Sequence, residues 1–195
     1  MLKKTVNFLF EVGMLKKTPR TGYQFLGTGK ESVADHSFRT AVIGYTLAID
    51  EPGIDANRVV LMCLFHDFPE ARTGDHNYMN KKYVNKNEEQ VIRDQVRNLP
   101  FASDIESLVC EFNAVKTPEA RIAKDADQID LIMELKGQMD IGNPNAKDWL
   151  DFAIQRLITD RAKRMAQEIL VTNSSEWWFD KEADWWITGH EKGNR

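Results

Sequence analysis

The sequence predicts an all-α protein, on three observations. Apolar residues recur at helical spacing through most of the 195-residue chain. No stretch alternates apolar and polar residues for long enough to make a strand. Capping residues stand ahead of the apolar runs, at Ser32, Asp55 and Thr117, and Pro- or Gly-bearing breaks follow them.

The elements follow in order. Residues 3–15 make a first amphipathic helix, ended by the polar segment KKTPRTGY with its Pro and Gly. GTGKE is a loop, after which Ser32 caps a second helix through SVADHSFRTAVIGYTLAI, broken by DEPGID. Asp55 caps a third, ANRVVLMCLFHDF; its Val59, Val60, Met62, Leu64 and Phe65 leave little polar surface and place it at the centre of the fold. Pro69 disfavours helical geometry at Phe68, so His66 and Asp67 stand just ahead of a break. GDHNYMNKKYVNKN reads as a long loop, 88–98 as a polar helix and 103–113 as another short one. Thr117 as cap, Pro118 at the first helical position and Glu119 in the first turn start the helix of TPEARIAKDADQIDLIMELKGQ. GNPN ends it, and 146–171 follows as one long amphipathic helix rich in i,i+4 charge pairs. The expected organisation is one domain over residues 1–172 and a Trp-rich tail over 173–195.

Composition narrows the function. With 42% hydrophobic and 29% charged residues the chain is not disordered. A net charge of −4 gives no support to binding a nucleic-acid polymer. The opening MLKKTVNFLFEVGMLKK mimics a secretory signal, but Glu11 interrupts its apolar stretch and no small-residue cleavage site follows. No run approaches the roughly 18 apolar residues of a membrane span. Two cysteines, Cys63 and Cys110, make no disulfide framework. The expectation is a cytoplasmic protein with no membrane partner.

The stretch FHDFPEARTGD, residues 65–75, ends an apolar run with a His beside an Asp and adds a Glu and another Asp. His36, His66, Asp67 and one carboxylate from KDADQID make a mixed N/O set that suits a divalent first-row ion. Adjacent helical residues point about 100° apart, so His66 and Asp67 can both lean on one ion at a helix end, with the other ligands arriving from other helices. Each alone has a plain reading: a buried His with a backbone partner, or a chance dipeptide. For the last ligand Asp125, Asp127 and Asp130 compete. Taking Ile122, Ala126, Ile129 and Met133 as one face, helix arithmetic leans toward Asp125, although Leu131 and Leu135 make the Asp127 side apolar too.

Together, ESVADH, FHDFPEARTGD and KDADQID resemble, in order and separation, the signature segments of the HD-domain metal-dependent phosphohydrolases. LKKTPRTGY and TPEARIAKDAD are similar to the branch that contains bacterial 5′-deoxynucleotidases and their eukaryotic relatives. The resemblance covers about residues 5–140 and implies an HD-type helical bundle with a central metal site. It implies His36, His66, Asp67 and Asp127 as ligands of one divalent ion (Mn, Co, Fe, Ni or Zn, with Mg also admissible), Glu70 and Asp75 as the acidic residues at the reacting centre, and Arg20 on the substrate phosphate. Tyr23 stands by the sugar where the branch usually has Trp, which keeps an aromatic wall and leaves open how deoxyribose is told from ribose.

The implied activity is hydrolysis of the 5′-phosphate of (deoxy)nucleoside monophosphates by a metal-activated water, in a homodimer. The alternatives are another phosphate ester of the superfamily, an alarmone or a cyclic phosphodiester, and a non-catalytic nucleotide-binding protein. Four further stretches carry two readings each. Glu31 is a buried brace or touches substrate; Asp75, after Gly74, caps a turn or takes part in catalysis. Lys81 and Lys82 are a solvated charge run or attract phosphate. The tail WWFDKEADWWITGH packs back on the domain or forms an oligomer seam, and His76 and His190 are surface residues without a role.

Overall fold

The computed structural model describes residues 2–189. Helix α1 (Leu2–Val12) runs into a 3₁₀ turn, Gly13–Lys16, and is followed by α2 (Tyr23–Leu26), α3 (Val33–Ala48), α4 (Ala56–Phe65) and α5 (Glu70–Thr73). Then come α6 (Tyr78–Tyr83), α7 (Glu88–Val96), α8 (Ala102–Ala114), α9 (Pro118–Asp140), α10 (Asn145–Ile154), α11 (Asp160–Val171) and α12 (Trp185–Thr188). Among the described residues no strand forms, and no helix is long and apolar enough to cross a membrane.

The capping chemistry acts as the sequence dictates. Ser32 and Asp35 make a reciprocal capping box at the start of α3, Asp55 accepts from the Arg58 N–H at α4, and Thr117 accepts from the Ala120 N–H at α9. The centre of the bundle, however, is α9 rather than the expected α4. Helices α3, α4, α10 and α11 all pack on α9, and Ala120, Ala123, Ala126, Ile129, Ile132 and Leu135 along it are buried. Its polar residues hide this from a hydropathy reading, because Asp125, Asp130 and Lys136 are buried as well. A smaller cluster, Phe8, Leu15, Val33, Phe68, Ile92, Val96 and Val109, ties α1 to α7 and α8 beneath the turn that carries His66 and Asp67.

Two expectations fail locally. The helix expected over 146–171 is two helices, α10 and α11. The buried Asp125 carboxylate explains the break: it accepts from the backbone N–H of Ile158 at 2.7 Å and of Thr159 at 2.8 Å, which fixes a turn there, and Thr159 then caps α11. The stretch GDHNYMNKKYVNKN holds α6, because Asn77 and Asn80 form their own capping box. An Asn pair in a polar stretch gives no periodic signal. The short α2 likewise forms between segments expected to be irregular.

Beyond α11 the tail is linked to the domain by the Ser174 N–H, 2.8 Å from Asp140 Oδ2. The rings of Trp178, Phe179, Trp185 and Trp186 pack on one another with centroids 4.6–5.7 Å apart, and Trp177 is exposed. His190 lies outside the described residues.

Gly44 sets how closely α3 and α4 approach. A Cβ there would stand 2.7 Å from Cys63 Sγ and 3.1 Å from Val59 Cγ1. Gly44→Ala should therefore destabilise the fold by about 1–3 kcal/mol, despite the better helix propensity of Ala. Thermal melts of Gly44→Ala, Cys63→Ala and the double variant check it: the double variant should recover most of the loss, and additive losses would refute the clash.

Candidate metal centre

Four elements bring their residues to one place. His36 sits one turn into α3, His66 ends α4, Asp67 begins the turn before Pro69, and Asp127 comes from α9. His36 and His66 are buried.

Hydrogen-bond partners assign the proton on each neutral ring. His66 Nδ1 lies 2.8 Å from the Cys63 carbonyl, which can only accept, so Nδ1 carries the hydrogen. His36 Nδ1 lies 2.6 Å from Asp130 Oδ2, with the same consequence. Each Nε2 is then a bare lone pair. Neither has a hydrogen-bond partner, and neither has Asp67 Oδ2. Yet these atoms converge: Asp67 Oδ2 is 3.6 Å from His36 Nε2 and 3.2 Å from His66 Nε2, and Asp127 Oδ1 is 3.4 Å from His36 Nε2. His36, His66 and Asp67 meet the spacing needed to hold a single ion. Acceptors facing acceptors in a buried place call for a cation.

Electrostatics give the same demand from the ion-free side. Burial and Arg20 oppose a charge on His36, but Asp127 and Asp130 outweigh them and raise its pKa to about 10, so without an ion a proton on Nε2 supplies the positive charge, and an ion takes the place of that proton. Burial opposes charge on Asp67 and Asp127, yet both stay below the usual carboxylate range. His66, His36 and Arg20 act on Asp67; Lys124, His36 and His66 act on Asp127. A second grouping, Glu31, His36 and Asp130, already has its positive charge. Arg39 pairs through Nε with Asp130 and through Nη2 with Glu134 at 2.6 Å and Glu31 at 3.5 Å. Burial, then Asp130 and Glu134, raise the Glu31 pKa to about 7.

The remaining expected residues line one cavity of about 390 Å³, with Arg20, Tyr23, Glu31, Glu70, Asp75, Lys81 and Asp127 on its wall. Arg20 Nη1 is 3.6 Å from Asp67 Oδ2 and 3.7 Å from Asp75 Oδ1. Asp75 caps no turn of its own. Gly74, at φ 72°, turns the chain so that Asp75 Oδ2 accepts from the Thr21 N–H at 2.6 Å and pins the segment bearing Arg20. Glu70 is buried, with one oxygen 3.3 Å from Lys86 Nζ and the other without a partner. Tyr23 OH donates to Glu134. Asp125 faces the α10–α11 turn, away from the cluster that helix arithmetic gave it. His76 is half-buried beside the cavity, and its Nδ1 has no hydrogen-bond partner.

Sequence reasoning missed Asp130 as the partner of His36, together with Arg39, Glu134 and Lys86. For Asp130 and Arg39 a signal exists: each lies three residues after a site residue, Asp127 and His36, hence on the same helical face. Lys86 precedes α7 in a polar stretch and carries none.

A profile of the HD domain family matches residues 12–170. The 5′-deoxynucleotidase hdd1 of Schizosaccharomyces pombe is 29% identical in an alignment that covers 77% of this chain and 88% of that protein. The 5′-deoxynucleotidase HDDC2 of Bos taurus is 29% identical in an alignment that covers 72% of this chain and 71% of that protein. A solved structure of a conserved hypothetical protein from Pyrococcus furiosus superposes with a TM-score of 0.72 at 26% identity, covering 84% of this chain and 98% of that one.

The two neighbouring aspartates of α9 should separate cleanly. Asp125→Ala leaves two backbone N–H groups unpaired and should lower stability by about 1–3 kcal/mol while bound metal stays at full stoichiometry. Asp127→Ala should lose the metal with the melting temperature of the metal-free protein little changed. Elemental analysis beside thermal melts reads both, and metal retained by Asp127→Ala would remove it from the ligand set.

Proposed function

The chain belongs to the HD-domain family, and from that membership we propose that it removes the 5′-phosphate of deoxynucleoside monophosphates. It is a hydrolase, a metal-dependent phosphohydrolase. The single observation that carries the reading is the convergence of the unpartnered atoms His36 Nε2, His66 Nε2 and Asp67 Oδ2 beside Arg20 on the cavity wall. The 5′-deoxynucleotidase names of two relatives support the substrate class.

In this reading His36, His66, Asp67 and Asp127 hold one divalent ion, with Mn, Co, Fe, Ni, Zn and Mg as candidates. When bound, such an ion lowers the pKa of water and offsets phosphoryl charge. The rest is the work of the chain. Arg20 is fixed by Asp67 and Asp75, which raise its pKa further above the usual range although burial opposes this, so it stays a cation facing the phosphate. Its planar fork can take two phosphate oxygens.

Glu70 supplies the proton. Burial, then Asp67 and Asp75, raise its pKa to about 9 against the opposing Lys86, which favours a protonated carboxyl that donates to the departing 5′-oxygen as the P–O bond breaks. Asp75 positions Arg20 through Thr21. Tyr23, held by Glu134, forms the wall beside the sugar.

We take residues 1–172 as the catalytic domain and 173–195 as an appendage. The free thiols Cys63 and Cys110 support a cytoplasmic setting, and the exposed aromatic surface around Trp177 and Trp178 supports a homodimer.

The test is phosphate release by the metal-loaded protein from dAMP, AMP, ppGpp and a cyclic dinucleotide. Release from dAMP is the expected result; hydrolysis of ppGpp or the cyclic dinucleotide in its place would move the protein to another branch of the family. Glu70→Gln should lower kcat on dAMP by about 100-fold or more with metal content unchanged, and an unaltered kcat would take Glu70 out of the reaction.

A further inference from the structure

The phosphate chemistry uses only part of the cavity wall. Two stretches of chain that line it are cross-linked side by side. Asp75 bonds to the Thr21 N–H at 2.6 Å, and one step further out Asn77 Nδ2 lies 3.3 Å from Gln24 Oε1. Arg20, Asp67 and Glu70 line the part beside the candidate metal centre, and Tyr78, Trp149 and Arg156 line the same cavity without touching those residues.

These three residues are arranged and not merely neighbouring. Trp149 and Tyr78 meet edge to face, with ring centroids 5.7 Å and planes 67° apart. The Arg156 guanidinium lies 5.0 Å from the Tyr78 ring centroid and also bonds the Tyr78 hydroxyl through Nη1. Gly22 leaves room for the indole: a Cβ there would stand 3.0 Å from Trp149 Cη2. The buried Asp125 carboxylate fixes the turn between α10 and α11, the turn from which Arg156 projects.

What this corner lacks is an acceptor. Trp149 Nε1 is closed to solvent and has no hydrogen-bond partner. An indole N–H is a donor only, and a shielded one without an acceptor is unfavourable. Arg156, exposed at the mouth, adds further donors. A flat aromatic ligand with acceptor atoms on its edge suits this corner, since its face can lie against an aromatic ring while its edge accepts from the exposed guanidinium, and from the indole N–H once a small turn of that ring uncovers it. On a nucleoside phosphate, the nucleobase is the part with that chemistry.

We propose that Trp149, Tyr78 and Arg156 form a seat for the nucleobase, so that this protein reads the base as well as the phosphate. The inference rests on the nucleotidase reading above. The seat contributes binding rather than proton transfer, so its signature is in KM.

The experiment compares each deoxynucleoside 5′-monophosphate with 2-deoxyribose 5-phosphate, which keeps sugar and phosphate but has no base. The metal-loaded wild type should show kcat/KM at least about tenfold higher on its best nucleotide, through a lower KM. Trp149→Leu and Arg156→Ala should each draw that ratio toward one. Trp149→Phe, which keeps a ring but loses the donor, should fall between, and it guards against a Leu variant that is poorly folded. A wild-type ratio near one overturns the seat and leaves the nucleotidase reading standing; so does a ratio that survives intact in Trp149→Phe and Arg156→Ala. Phosphate release from none of the compounds overturns the nucleotidase reading and the seat with it.

Discussion

Acceptor atoms crowded into a buried volume set the terms for the rest of the fold. His36 Nε2, His66 Nε2 and Asp67 Oδ2 point at one another, and on the neutral rings no hydrogen lies between them, because each imidazole then has its hydrogen on the far nitrogen, aimed at Asp130 or at the Cys63 carbonyl. Such an arrangement is unstable unless the surrounding helices hold it and a positive charge answers it. The helices do hold it. Packing of α3 against α4, tight enough to require Gly44, fixes the distance between the two rings, whose centroids are 5.5 Å apart. The packing of the bundle keeps these atoms converged whether a proton on His36 or a metal ion supplies the charge. A site with that property selects a cation by geometry before any ligand arrives.

Helix α9 divides three carboxylates among three tasks by angle alone. Asp127 faces the cluster, Asp130, three residues on, orients His36 from behind, and Asp125 turns away to fix the chain between α10 and α11. The same helix supplies the small residues, Ala120, Ala123 and Ala126, that let its neighbours close in. Structural centre and chemical centre coincide, which is why a helix so rich in charge can be the core of an all-α fold: its buried carboxylates are paired with an imidazole, a guanidinium or backbone N–H groups.

This coincidence also explains what could be read in the sequence. The helix starts at Ser32, Asp55 and Thr117 depend on local side-chain-to-backbone bonds, and the structure has them where the residues stand. That Asp127 rather than Asp125 stands beside His36 agrees with the motif order of the resemblance, whereas helix arithmetic alone leaned toward Asp125. The arithmetic misled because it equates the buried face with the apolar face, and here burial is shared by Asp125 and Asp130. The break between α10 and α11 could not be read at all. Its cause is a carboxylate more than thirty residues upstream in sequence, and the i,i+4 charge pairs across 146–171 favour continuous helix. Lys86 against Glu70 and Trp149 against Tyr78 are likewise tertiary facts, set by how separate segments pack and not by any periodicity within one of them.

Tyr23 shows how far the central constraint reaches. Its hydroxyl donates to Glu134, Glu134 pairs with Arg39, Arg39 pairs with Asp130, and Asp130 holds the Nδ1 proton of His36. The wall of the cavity and the orientation of the His36 imidazole are therefore linked by one chain of charged hydrogen bonds, half-buried at Tyr23, Glu134 and Arg39 and buried at Asp130 and His36. Burial and then Glu134 raise the Tyr23 pKa above its usual range, so the phenol remains a donor at any pH the protein meets and the chain stays closed at that end. An indole at the same position would be another aromatic surface, but its single N–H projects from a different edge than a phenol oxygen does. With Tyr at this position, the cavity surface is coupled to the orientation of the His36 imidazole. A change at residue 23 then acts on both the shape of the cavity and the setting of His36, so the two effects have to be measured together.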